Sequence, residues 1–85
     1  MSTHHEFDAE IRKILVKHGR LGADAGALRT DADLYQAGMT SHASVNVMLA
    51  LESTFDIEFP DELLKRSVFA SIASIREAVA GIGQT

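Results

Sequence analysis

A glycine, a methionine and two hydroxyl residues open an apolar stretch of this chain, Gly38-Met39-Thr40-Ser41-His42-Ala43-Ser44-Val45. Thr40 and Ser41 are both of the type that caps a helix by accepting from a backbone N–H. A serine at this place has a second use. The free N–H groups and the dipole at a helix N-terminus favour a negatively charged substituent. A phosphodiester on the Ser41 oxygen would sit in that field. Residue types alone leave both readings open, the plain cap and the modified hydroxyl.

Other chemistry is poorly supplied. The histidines are His4, His5, His18 and His42. His42 adjoins Ser41, but consecutive residues on a helix do not face each other, so no Ser-His-acid relay is expected. His4 and His5 lack the i,i+4 spacing of a helical metal site, and no metal is expected. Paired catalytic carboxylates need a cleft that a domain this small rarely has. Cysteine is absent, which removes disulfides, thiolate metal sites and thiol nucleophiles together. The chain is expected not to be an enzyme in its own right.

The elements that must position Ser41 read as helices. Phe7, Ile11, Ile14, Leu15 and His18 recur at helical spacing, with acids early and bases late, and predict a first helix over about 5–18. Gly19 suits its C-cap. A long loop from Gly22 to Asp33 follows, and Leu28, Leu34 and Tyr35 are its expected anchors. A second helix is predicted over about 41–54. Val47, Met48, Leu51 and Phe55 form its buried stripe, while Val45, Leu49 and Glu52 fall on another side. Apolar residues on more than one face suggest that something docks there. Asp56 to Phe59 alternate acidic and apolar residues, but Pro60 ends the run and no partner strand exists. Pro60 fits the start of a short third helix over about 61–66, with Asp61–Lys65 and Glu62–Arg66 as i,i+4 pairs. Ser71 caps a fourth helix over about 71–81, buried through Ile72, Ile75, Val79 and Ile82 and ended by Gly81 or Gly83. Gln84 and Thr85 are expected to fray. The fold class is all-α, a four-helix bundle with a long first loop, forming one domain over 1–85.

Composition narrows the partners. Eighty-five residues hold one core. A formal charge of -4 disfavours nucleic acid. No apolar run approaches bilayer length, and the N-terminus lacks a signal-peptide layout, so a soluble cytoplasmic monomer is the expectation.

From about Asp33 to Ile82 the chain resembles the acyl carrier proteins. The matching residues are Leu34, Gly38-Met39-Thr40-Ser41, then Val45-x-Val47-Met48-Leu49-Ala50-Leu51-Glu52-x-x-Phe55, then Asp56-Ile57-Glu58-Phe59-Pro60-Asp61-Glu62. The second half is the more specific, because several independent residues match in register. The resemblance implies a bundle of acyl-carrier-protein type. It also implies that Ser41 receives 4′-phosphopantetheine from coenzyme A through a phosphopantetheinyl transferase. A group carrier supplies a tether and a recognised surface, and the thiol of the arm holds the cargo as a thioester.

Two positions depart from the common pattern: Thr40 stands where Asp is usual and His42 where Leu is usual. Fatty-acid carriers present several carboxylates on this helix, and here only Glu52 is charged. With Thr40 and Ser41, the sequence around His42-Ala43-Ser44-Val45 and Phe55 to Leu64 is similar to bacterial aminoacyl carrier proteins. Those are charged by ligases that resemble class II aminoacyl-tRNA synthetases. That resemblance implies a small amino acid as cargo, glycine or alanine, and an amino acid:[carrier protein] ligase as partner; the residues expected to dock on the second helix are Thr40, His42, Val45, Asn46, Leu49 and Glu52. The downstream acceptor is not legible. The rivals are a carrier for fatty acid, polyketide or nonribosomal peptide assembly, and an unmodified helical adaptor that binds through the second helix.

Overall fold

The computed structural model describes residues 4–19, 21 and 28–83. Its elements are α1 (His4–His18), α2 (Ser41–Phe55), a single 3₁₀ turn (Asp61–Leu63) and α3 (Ile72–Gly83). No strand occurs among the described residues. The side chains of His4 and His5, the glycines at 22 and 26, and the tail at Gln84 and Thr85 lie outside what is described.

α1 is the hub, and both α2 and α3 pack against it. It contributes Ile11, Ile14 and Leu15 to the core, α2 contributes Ala43, Val47 and Leu51, and α3 contributes Ile72, Ile75 and Val79. The i, i+3, i+4 and i+7 spacings put each set on one side of its helix, so burying that side stabilises helix and packing together. The connecting segments complete the core with Leu34, Met39, Phe59 and Phe69. Phe59 and Phe69 meet at 5.4 Å, and Phe7 of α1 meets Phe55 of α2 edge-on at 5.3 Å.

The helix ends have local causes. A side chain at Gly19 would place its Cβ 2.8 Å from the Leu15 carbonyl oxygen, so only glycine lets the chain leave α1 this closely. Asp56 closes α2 in the left-handed region, at φ 54°. Its N–H and that of Ile57 both turn back to the Glu52 carbonyl, which satisfies an orphan acceptor of the last turn. Ser71 and Ser74 bracket the start of α3: Ser74 N–H donates to Ser71 Oγ and Ser71 N–H to Ser74 Oγ, each at 3.1 Å. The first loop is held at three places. Arg12 donates to the Leu28 carbonyl, Leu34 N–H to the Ala70 carbonyl and Ala73 N–H to the Thr30 carbonyl.

The third helix expected over 61–66 is not formed to that length. After Leu63 the chain passes through turns to Ala70, and neither i,i+4 ion pair forms among the described residues. The reason is packing. Phe69 must reach the core beside Phe59 while Leu63 is also partly buried. Residues six apart fall on different sides of a continuous helix, so a helix through both would expose one of them. α3 also runs through Gly81 to Gly83.

Candidate functional site

Thr40 is the residue that caps α2. Its backbone is extended, with φ −85° and ψ 165°, and its Oγ1 accepts from the Ala43 N–H at 3.0 Å. Its carbonyl accepts from the Ser44 N–H at 3.0 Å. Ser41 is therefore the first helical residue, exposed, with its hydroxyl left over. Among the described residues no hydrogen bond uses Ser41 Oγ, and none uses the N–H groups of Ser41 or His42. The first turn of α2 carries no acidic residue. A phosphate ester on Ser41 would meet free amide donors and the positive end of a 15-residue helix, with no carboxylate on its own turn.

The turn before it fixes the backbone that carries that hydroxyl. Gly38 has φ 123°, a region that residues with a Cβ rarely enter. Its N–H donates to the Tyr35 carbonyl and the Met39 N–H to the Leu34 carbonyl, at 3.1 and 3.0 Å. Met39 is buried and Ala43 fully so, which pins both sides of Ser41 to the core.

The outward side of α2 is apolar and uncharged. Val45 and Leu49 are 50% and 53% exposed, and with Ser41 they follow an i, i+4, i+8 row. His42 is exposed and Asn46 half-buried. Glu52 is half-buried. Its Oε2 accepts from the Phe59 N–H at 2.9 Å, so the single carboxylate of α2 holds the α2-to-3₁₀ link rather than standing free. Clefts open on either side of the row. One is lined by His18, Asn46, Leu49 and Ser53. The other, about 240 Å³, is lined by Tyr35, Val45, Met48, Leu64, Lys65 and Arg66. Sequence reasoning had no signal for this second wall, since Tyr35 and Arg66 meet only through the fold: the guanidinium lies 3.9 Å from the ring centroid.

Residues 11–81 match the family of the phosphopantetheine attachment site. The chain belongs to that family. It is a carrier family: its prosthetic group is 4′-phosphopantetheine, and its domains are not themselves catalytic. An aminoacyl carrier protein from Agrobacterium fabrum is 51% identical over 72 residues, covering 85% of this chain and 87% of the relative. A carrier protein from Agrobacterium tumefaciens has been crystallised with an engineered Bradyrhizobium japonicum glycine:[carrier protein] ligase and ATP. This chain is 50% identical to its structural match there, with a TM-score of 0.85, covering 89% of this chain and 99% of the other. The corresponding AMP complex matches at 51% identity and a TM-score of 0.82, covering 86% and 97%. Among the described residues of this carrier protein, no helix is long and apolar enough to cross a membrane, and no cluster of side chains is suited to a metal ion.

Proposed function

We propose that this protein holds a small amino acid, glycine or alanine, on an arm attached at Ser41. The observation that carries the attachment is the division of labour at the start of α2: Thr40 takes the cap and leaves the Ser41 hydroxyl unspent. That hydroxyl is the nucleophile toward coenzyme A. Its oxygen forms the phosphoester bond as the phosphoanhydride breaks, its proton goes to a base of the phosphopantetheinyl transferase, and adenosine 3′,5′-bisphosphate leaves. The arm supplies the thiol on which the aminoacyl group is held as a thioester.

The aminoacyl cargo rests on the relatives and on α2 itself. Carriers of fatty acids present carboxylates on this helix, and here its one carboxylate is tied to Phe59. The partner is then an amino acid:[carrier protein] ligase of the synthetase-like kind, approaching over Thr40, His42, Val45, Asn46 and Leu49. Glu52 acts behind that surface, by holding the loop below it. The 3₁₀ turn and the turns to Ala70 stand where the third of four bundle helices would lie, and residues 1–85 act as one carrier domain, as a monomer and without catalytic groups of their own. Dependence on coenzyme A and ATP fits a cytoplasmic setting.

Intact mass spectrometry tests the attachment. With coenzyme A and a phosphopantetheinyl transferase, wild type gains the mass of one arm and Ser41→Ala gains nothing. A wild type that stays bare sinks the reading and leaves the unmodified adaptor in its place. The holo form, given ATP, glycine or alanine and a ligase, then gains one aminoacyl group. Loading instead by a malonyl or acyl transferase would move the protein to fatty acid or polyketide assembly.

A further inference from the structure

Two cations stand unpaired beside the apolar row of α2. Lys65 and Arg66 are exposed, and no carboxylate pairs with either among the described residues. They share the cleft of Val45 with Leu64, which is itself 47% exposed. Of the acids that precede them in sequence, Glu62 lines a separate cleft with Glu77 and Gly81. Arg66 lies over the Tyr35 ring, which braces the guanidinium while leaving its edge donors available for a planar carboxylate. With Glu52 tied to Phe59, the α2 side of this face offers no charge to counter them.

We infer that Val45, Leu49, Leu64, Lys65 and Arg66 form a docking face for a ligase surface that sets carboxylates beside an apolar side chain. The polarity is the reverse of an acidic helix meeting a basic enzyme. The apolar row supplies contact area, and the two cations supply steering and register. Arg66 reads a carboxylate in the plane of its fork, and Lys65 adds a point charge. This inference rests on the carrier reading above.

The test measures glycine loading of holo protein by a glycine:[carrier protein] ligase, with carrier concentration varied at low and high salt. Variants are Lys65→Glu, Arg66→Gln and the double variant Lys65→Glu/Arg66→Glu, each checked by melting and by its gain of the arm. The double variant should raise KM for the carrier by about tenfold with a smaller change in kcat. Salt should raise the KM of wild type and leave that of the double variant nearly flat. Arg66→Gln should fall between, which guards against a charge reversal that merely disturbs the fold. If the arm is gained and glycine is loaded, but KM stays within about twofold in every variant, the docking face is wrong and the carrier reading stands. A wild type that gains no arm overturns both. Dimer formation by wild type in sedimentation, abolished by the double variant, would assign the face to a second copy of this chain and overturn the ligase as its occupant.

Discussion

At the scale of single residues, the informative contrast is between two adjacent hydroxyls. Sequence offered Thr40 and Ser41 as equal candidates for the cap. What separated them was backbone geometry, because only the residue in the extended conformation aims its oxygen at the third N–H. The serine's position was legible from Gly38 and the apolar run, and its freedom from capping was not. Thr40→Ala should lower stability by roughly 1 kcal/mol in urea unfolding, and Thr40→Ser should recover most of that. Gly38→Ala should cost about 1–2 kcal/mol, because the strain lies in φ and not in space. The nearest atom to a new Cβ there is a flexible Leu21 methyl at 3.9 Å. A Gly38→Ala variant should also take up the arm more slowly, read as initial rate of mass gain. Ser41→Ala should leave stability within about 0.5 kcal/mol of wild type, since its hydroxyl holds nothing in the fold.

At the scale of elements, long periodic segments were readable and the short one was not. α1, α2 and α3 each carry an apolar stripe repeated over several turns, so burial and local preference agree. The segment after Pro60 has good capping and charge order, yet its shape is set by Phe69 reaching Phe59. That demand comes from elsewhere in the chain and leaves no periodic mark. The link from α2 into this segment depends on Glu52. Glu52→Ala should destabilise by about 1–2 kcal/mol through loss of a charge-assisted bond to the Phe59 N–H, and Glu52→Gln by less, as measured by denaturant midpoint. Docking contributions of Glu52 should be small once that stability loss is restored by lower temperature. Loading kinetics at 10 and 30 °C would separate the two effects.

At the scale of the whole molecule, α1 joins two helices that are otherwise linked through loops. Besides apolar packing, the α1–α3 contact contains an ion pair, Arg76 to Asp8 at 3.2 Å, with both side chains largely buried. Arg76 Nε is buried with no hydrogen-bond partner among the described residues, so the pair is imperfectly satisfied. Removing one partner should therefore cost more than removing both. Asp8→Leu and Arg76→Met singly should each lose about 1–3 kcal/mol, while the double variant should lie close to wild type. A thermal-melt cycle checks this. The pair itself could not be foreseen, since 68 residues separate its members and neither stands out in sequence.

The inward engagement of Glu52 also bears on what this chain would do in a foreign host. Enzymes of lipid synthesis that search for a negatively charged helix would find none here. Even at high copy number, this protein should be a poor decoy for them, and membrane growth in the producing cell should go on undisturbed.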